Sequence, residues 1–258
     1  MKNNKIRIFF FTWLVFLLAF SCSSAFFPDI PEVSKNMEDR YASIDSLKAD
    51  ISLRDNSTLR IRIWRKDNKW RQEWISKKGN SSELVQAAIG RERRLLASFP
   101  EKSSFPLSLL HFWYPGHPSK FWQNLGINKE KKSYQFLGKN PCLVIGAEYK
   151  EMDRPQLWLH KEKYFPLQVI NWEKIKWRWK EYAAVGNYFL PHVLQIYFPE
   201  GKNIKMDIAW KGINSGIPER LFDVQKFREK YSGAVSSIKN SEYKKFDYLH
   251  QEIPQAFK

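Results

Sequence analysis

The stretch Ile175-Lys176-Trp177-Arg178-Trp179-Lys180 decides the fold, because apolar and cationic residues alternate in it without a break. Successive side chains of a β-strand point to opposite faces, so Ile175, Trp177 and Trp179 share one face. The other face carries only Lys and Arg. Such a strand is typical of an antiparallel sheet that is buried on one side and solvated on the other.

The same period of two extends over most of the chain. Leu59-Arg60-Ile61-Arg62-Ile63 alternates in the same way, and turn-forming residues such as Gly186-Asn187 separate the segments. We predict roughly eleven to twelve strands, the pattern of an antiparallel sandwich or barrel. The predicted strands are Leu47–Leu53, Leu59–Ile63, Lys69–Ile75, Leu84–Ile89, Arg94–Phe99, Ser133–Leu137, Leu143–Tyr149, Gln156–His160, Phe165–Asn171, Ile175–Tyr182, Phe189–Phe198 and Ile204–Trp210.

Two segments depart from this period. Between Ile30 and Ile44, apolar residues recur at intervals of three and four, which predicts an amphipathic helix at Pro31–Ser43. The segment Phe105–Leu125 is rich in large apolar residues and prolines, which favours two short helices or a helical loop. We expect the apolar face of the sheet to be covered either by these helices or by the sheet itself, curled and closed.

The first 25 residues predict the compartment. Three cationic residues precede the apolar run Ile8–Phe20, and Ser23-Ser24-Ala25 follows it. This is the order of a secretory signal peptide. As a helix the run covers about 20 Å, less than the roughly 30 Å hydrocarbon core of a bilayer. We therefore expect a cleaved signal and a mature chain that works outside the cytoplasm.

Cys22 leaves the mode of processing open. Cleavage before Phe26 gives a soluble protein. Leu18-Ala19-Phe20-Ser21-Cys22 also half resembles a lipobox, in which the chain is cut before the Cys and the thiol is lipidated. In that alternative, Cys22 anchors the protein to a membrane.

No pattern of an active site is present. The five His residues do not have the spacing of a zinc-binding helix, and there is neither a G-x-S-x-G elbow nor a P-loop. We predict a protein with no catalytic residue, no metal and no cofactor. Cys142, beside Leu143-Val144-Ile145, is expected to pack as a small apolar residue.

Charge and aromatic content suggest the kind of partner. The chain has a net charge of +16, with 19 Phe, 11 Trp and 11 Tyr. Basic and aromatic residues together are typical of platforms for single-stranded nucleic acid, but export removes that partner. An apolar sheet face under a helical cover instead suits an acyl chain, which gains about 0.8 kcal/mol per buried methylene and needs no polar motif.

Several short motifs resemble the LolA and LolB superfamily of periplasmic lipoprotein carriers and outer-membrane receptors. Trp64-Arg65 and Trp70-Arg71 lie on either side of an early turn. Gln156–Leu167, with the sequence QLWLHKEKYFPL, is similar to a family hairpin, and Ile213–Phe222, with the sequence INSGIPERLF, is similar to the closing segment of the family. The resemblance covers about Val33–Val224.

This resemblance implies a mainly β fold: an incomplete, half-open antiparallel β-barrel of about eleven strands with a helical lid. Its apolar interior would bind the acyl chains of lipoproteins or lipids in the periplasm. Possible partners are an inner-membrane release complex and an outer-membrane acceptor. From the alternation, the expected lipid-binding residues are Ile61, Ile63, Trp70, Trp177 and Trp179. Arg65 is closest to the arginine that ties the lid shut in the family, although Lys66 follows it instead of Pro.

A second hypothesis remains beside the carrier. A structural envelope protein would dock on a partner or an anionic membrane through the basic face of its sheet. The residues expected to carry this contact are Arg60, Arg62, Lys174, Lys176, Arg178 and Lys180. In either case we divide the chain into a signal (1–25), one lipid-binding domain (26–231) and a polar, mobile tail (232–258).

Overall fold

The computed structural model describes residues 27–54, 56–78, 80–91, 94–99, 122 and 125–232. The predicted signal with Cys22, most of the predicted helical segment Phe105–Leu125 and all but the first residue of the predicted tail lie outside the described residues. Among the helices that are described, none has the length and apolar character required to cross a bilayer.

A single twelve-stranded antiparallel sheet forms the body of the protein. Its strands are β1 (Ser46–Leu53), β2 (Asn56–Lys66), β3 (Lys69–Lys78), β4 (Ser81–Arg91), β5 (Arg94–Phe99), β6 (Lys132–Leu137), β7 (Asn140–Ile145), β8 (Gln156–His160), β9 (Pro166–Ile170), β10 (Lys176–Val185), β11 (Tyr188–Tyr197) and β12 (Asn203–Ile213). A helix, α1 (Ile30–Tyr41), precedes the sheet, and a short 3-10 turn (Glu219–Phe222) and a second helix, α2 (Val224–Ser232), follow it.

The sheet is open, which confirms the predicted half-open barrel. The strand order is β5-β4-β3-β2-β1-β12-β11-β10-β9-β8-β7-β6, so β5 and β6 are edges. The first and last strands, β1 and β12, pair in the middle of the sheet, with Leu47 opposite Ile213. The described residues contain twelve strands, where the resemblance implies about eleven. Several predicted strand boundaries differ from the structure by about three residues. The largest error is at β7, predicted to end at Tyr149, which ends at Ile145 because Gly146 has a φ of 104° and the chain turns there.

Helix α1 closes the concave side of the sheet and matches the predicted helix Pro31–Ser43 to within two residues. Pro31 lies in its first turn, where a missing N–H costs nothing. The buried residues Val33, Met37 and Tyr41 fall on one face of the helix. They pack into the largest hydrophobic core, which takes residues from ten of the strands, β1–β4 and β7–β12.

The C-terminal segment covers the opposite, convex side near β3–β5. Phe222, Phe227 and Tyr231 pack there with Trp64 and Ile89 in a separate cluster. Helix α2 is absent from the sequence prediction. The sheet is therefore covered by a helix on each side, at different places.

Candidate functional site

All five residues predicted to line the interior lie in the same core. Ile61, Ile63, Trp70, Trp177 and Trp179 are each at most 3% exposed and belong to the cluster that contains α1. Adjacent strands bring Trp177 opposite Ile196 and Trp179 opposite Leu194, which are core residues as well. The lipid-binding role of these residues remains a prediction.

The interior is filled by the protein's own side chains. Val33, Met37 and Tyr41 of α1 enter it from one side, and Trp122, Leu125 and Ile127 also belong to it. The largest side chains with less than 2% exposure include Trp70, Trp74 and Trp122. Within the described residues, an acyl chain therefore reaches the concave face only where α1 or these indoles give way.

The two ends of α1 are held differently. After its C-terminus, the side-chain oxygen of Asn214 accepts the backbone N–H groups of Asp45 and Ser46 at 2.9 and 3.2 Å, and its amide donates to the carbonyl of Ser43 at 2.6 Å. Before its N-terminus, Lys132 donates to the carbonyl of Pro28 at 3.3 Å, and a ring stack joins Phe27 to Tyr134. The C-terminal end of the helix is thus tied directly to the sheet backbone.

Tyr41 is the last buried residue of α1. Its hydroxyl donates to the carbonyl of Phe189 on β11 at 3.3 Å. Burial raises the pKa of the Tyr41 hydroxyl, with a small opposing effect from the positive charge of Arg40. Tyr41 therefore stays protonated and joins the helix to the sheet.

Arg65, the predicted lid contact, is buried at 6% exposure on β2. It lies opposite Trp70 of β3, and its Nε donates to the carbonyl of Asp67 in its own hairpin at 3.3 Å. Its contact with the lid remains a prediction.

The predicted basic face is divided into two groups. Arg60 and Arg62 lie on β2, where both approach Asp50, at 3.7 and 3.3 Å. Lys176, Arg178 and Lys180 lie on β10. Four strand spacings, about 19 Å, separate β2 from β10. Lys174 lies in the turn before β10, with a φ of 60°. The docking hypothesis remains a prediction.

A cleft of about 620 Å³ opens beside β10, lined by residues of the convex cluster around Phe165 and by Trp179 of the main core. Strand β9 pairs with β10 only from Lys176 to Arg178, whereas β10 pairs with β11 as far as Val185. The β10–β11 hairpin therefore projects past the β8–β9 turn. Glu181, with a φ of 55°, interrupts β10 at this point.

Aromatic rings form the wall of this cleft. The ring centroid of Phe165 lies 4.3 Å from that of Tyr182 and 5.3 Å from that of Phe189, and the His160 ring is 4.9 Å from Phe165. The Tyr182 hydroxyl donates to the carbonyl of Pro166 and joins the two sides. Trp179 of the main core also lines the cleft.

Cations surround the cleft. The ammonium of Lys163 lies 5.4 Å from the Phe189 ring centroid, and Arg178 donates to Gln168 at 2.6 Å. Lys180 is exposed at the same opening. Burial lowers the pKa of His160, and the charge of nearby Lys163 lowers it further, so this imidazole is neutral at pH 7.

Sequence reasoning missed most of this cleft. Arg178 and Lys180 were expected only as part of a basic face, and Trp179 only as part of the interior. Phe165, Tyr182 and Phe189 carry an aromatic signal, but they come from three separate strands or turns. These residues meet because β9 stops pairing with β10 at Arg178, and no sequence pattern predicts where that pairing stops.

Among the described residues, no group of three or more His, Cys, Asp or Glu is placed to hold a metal ion. Cys142 is fully buried and free, as its apolar neighbours predict. Burial raises the pKa of its thiol to about 11, which leaves little thiolate at neutral pH.

The solved structures that are similar to this chain include the following three. A LolA superfamily protein from Nitrosomonas europaea has 11% identity and a TM-score of 0.48, over 77% of this chain and 99% of its own. A putative outer membrane lipoprotein-sorting protein domain from Vibrio parahaemolyticus has 14% identity and a TM-score of 0.44, over 74% and 95%. A DUF1329 family protein from Desulfovibrio piger has 11% identity and a TM-score of 0.42, over 75% and 95%.

One of these structures is a member of the LolA superfamily, which the short sequence motifs resemble. No protein-family model and no curated protein sequence matches the chain. With TM-scores below 0.5 the superpositions are partial, and the function proposed for this chain rests on its own geometry.

Proposed function

We propose that this protein binds the acyl chains of lipids or lipoproteins inside its half-barrel and carries them, without catalysis, within the bacterial cell envelope. The observation that carries the proposal is the concave face of an open sheet, lined by core side chains from ten strands and covered by the separate amphipathic helix α1. In a closed barrel or a sandwich of two sheets, the apolar face is covered by the sheet itself, and no separate helix can move away to expose it.

Binding requires that α1 moves, because its apolar side chains occupy the interior. Each methylene that an acyl chain buries contributes about 0.8 kcal/mol, so a chain of twelve or more carbons offers a gross gain of roughly 10 kcal/mol. This gain can offset the loss of the contacts that Val33, Met37 and Tyr41 make with the sheet. The helix and the ligand then compete for one apolar surface.

Asn214 suggests which end of the helix moves. It ties the segment from Ser43 to Ser46 to the end of β12. We infer that α1 pivots near Ser43 and that its N-terminal end leaves the sheet first. This movement would open the interior beside β6, the strand that carries Lys132 and Tyr134.

The signal predicted at residues 1–25 supports a periplasmic site of action. If Cys22 is lipidated, the protein acts as an anchored receptor, and if the chain starts at Phe26, it acts as a soluble carrier. In both cases an inner-membrane release complex or an outer-membrane acceptor is the expected partner.

The test weakens α1 without changing the sheet. Met37 is 4% exposed, and truncating a buried Met to Ala costs about 2–5 kcal/mol. A larger open population raises the apparent affinity in proportion to the competent fraction. We expect Met37→Ala to bind dansyl-undecanoate, followed by its fluorescence, at least tenfold more tightly than the wild type.

Lys35→Ala is the matched control, because Lys35 lies on the exposed face of the same helix. It should bind the probe like the wild type. Tyr41→Phe, which removes the hydroxyl bond to the Phe189 carbonyl, should give a smaller increase of the same sign. Equal affinity for all four proteins, or no binding at all, would contradict an interior site closed by α1.

A further inference from the structure

The outer cleft shares only Trp179 with the five residues predicted to bind lipid in the interior, and its chemistry is that of a binding site. We propose that it binds one long-chain anionic amphiphile, with the anionic head at Lys163 and Lys180 and the start of the chain on Phe165, Tyr182 and Phe189. The cleft borders the interior at Trp179 and at Phe189, whose carbonyl accepts the Tyr41 hydroxyl of α1, but the proposal does not rest on the interior function.

The apolar wall of the cleft is preformed. Phe165 is 5% exposed, and its ring lies tilted against Tyr182 at a centroid distance of 4.3 Å and edge-on to Phe189 at 5.3 Å. Leu167 and Leu137 extend the same cluster on the convex face. A ligand that lies along these side chains buries apolar surface without having to displace a helix.

The charge at the opening selects an anion. In the part of the chain that the structure describes, neither Lys163 nor Lys180 forms an ion pair, and the nearby acid Glu181 is paired with Arg54 at 3.6 Å. Arg178 adds a third cation, held in place by Gln168. The cleft thus combines three cations with one acid that already has a partner.

The neutral His160 adds an N–H donor to the residues that line the cleft. Its Nδ1 accepts the backbone N–H groups of Glu162 and Lys163, at 3.3 and 3.4 Å, so its proton lies on Nε2. An N–H donor and ammonium groups beside an aromatic wall suit a carboxylate or phosphate with an alkyl chain.

The size of the cleft favours an amphiphile over a free anion. Ligand pockets of about 300–1,000 Å³ hold small molecules of drug size, and the cleft has about 620 Å³. Inorganic phosphate would leave the aromatic wall uncovered. A long-chain alcohol would leave the cations without a partner. Only a molecule with both parts uses the whole site.

The experiment compares three probes on the full chain by titration calorimetry: laurate below its micellar concentration, dodecanol and inorganic phosphate. In the Lys163→Gln/Lys180→Gln variant, we expect laurate to bind the cleft at least tenfold more weakly, while the affinity for dodecanol changes less than twofold. Lys77→Gln/Lys211→Gln, which removes two exposed lysines elsewhere on the sheet, is the matched control and should bind laurate like the wild type.

A second variant tests the wall. Phe189→Leu keeps an apolar residue on β11 but removes the ring that contacts Lys163 and Phe165. This variant should bind laurate at least threefold more weakly than the wild type. Unchanged laurate affinity in both cleft variants would overturn the proposal. Phosphate that binds as tightly as laurate would overturn it too, because the site would then be one for a free anion.

The two proposals fail in distinguishable ways. The Lys163→Gln/Lys180→Gln variant changes only exposed side chains outside α1, so its failure to change laurate binding would leave the interior site standing. Met37→Ala changes no residue of the cleft. If this variant binds dansyl-undecanoate no more tightly than the wild type, the interior site is contradicted but the cleft proposal is not.

Discussion

Arg71 is a buried cation on which the packing of the C-terminal helix depends. Its guanidinium donates to Glu73 at 2.6 Å, to the Tyr231 hydroxyl at 2.7 Å and to the carbonyl of Leu221 at 3.1 Å. The rings of Trp64, Phe227 and Tyr231 surround it at 5.4–5.8 Å. One side chain of β3 therefore holds both the 3-10 turn and α2 against the convex face.

Replacing Arg71 by Met keeps the apolar stem and removes the charge. Loss of one partner from a buried ion pair costs about 3–5 kcal/mol, because the other charge is left without compensation. Lys230, which approaches Glu73 at 3.2 Å and is half-exposed, retains part of that compensation. We therefore expect a loss of about 3 kcal/mol, which lowers Tm by roughly 6–12 °C for a domain of this size.

Urea unfolding followed by circular dichroism measures this loss. Glu73→Gln and the double variant Arg71→Met/Glu73→Gln complete a double-mutant cycle, and the double variant should lose less than the sum of the two single losses. Arg228→Met, on the exposed side of α2, is the control and should change stability by less than about 0.5 kcal/mol. A cost below about 1 kcal/mol for Arg71→Met, with additive effects in the cycle, would refute the view that this network holds α2.

Three further predictions concern other parts of the sheet. Gly90→Ala should destabilise the protein by about 1–3 kcal/mol in the same urea assay, because a Cβ there would lie 2.1 Å from the Trp70 ring; wild-type stability would show that Trp70 has room to move. The native Cys142 thiol, whose pKa burial raises to about 11, should react with maleimide at pH 7 only after denaturation, as mass spectrometry of its peptide would show; rapid native labelling would contradict its burial. Burial acts to raise the pKa of Glu73, but hydrogen bonds from Tyr231 and Arg71 outweigh it and hold that pKa below its usual 4.5. The stabilisation by Glu73 is therefore complete above about pH 4.5 and is lost as the pH falls through its folded-state pKa, so Glu73→Gln should show a smaller loss of Tm below pH 4.5 than the wild type.

The period of two was sufficient to predict the sheet, because one face of nearly every strand is buried. It did not predict which strands become neighbours beyond each hairpin. The pairing of Leu47 with Ile213 joins the first strand of the chain to the last in the middle of the sheet, and it depends on the whole curvature rather than on a local pattern.

Helix α2 was missed although a signal for it exists. Val224, Phe227 and Tyr231 recur at intervals of three and four, the spacing of one helical face. The intervening residues are mostly charged, and the segment is short. Its apolar side chains become informative only beside the convex patch formed by Trp64 and Ile89, which the linear sequence does not show.

The filling of the interior also lay beyond sequence reasoning. Alternation predicts that Trp70 and Trp177 face inward, but it does not say whether a ligand or α1 covers them. Which of the two covers them depends on how much of the interior volume is filled by indole side chains from strands that are far apart in the sequence. Because Trp177 is 3% exposed in this packed core, Trp177→Asp would unfold the protein rather than test binding, and milder changes in α1 are the better probe.

Photo-crosslinking with a diazirine-labelled fatty acid, followed by peptide mass spectrometry, tests the central claim most directly. The interior site predicts adducts on peptides that contain Ile61, Trp70 or Trp177, with a yield that rises in Met37→Ala. Adducts confined to the outer face, such as Phe165 and Phe189, would contradict acyl binding inside the half-barrel, and so would an unchanged pattern in Met37→Ala.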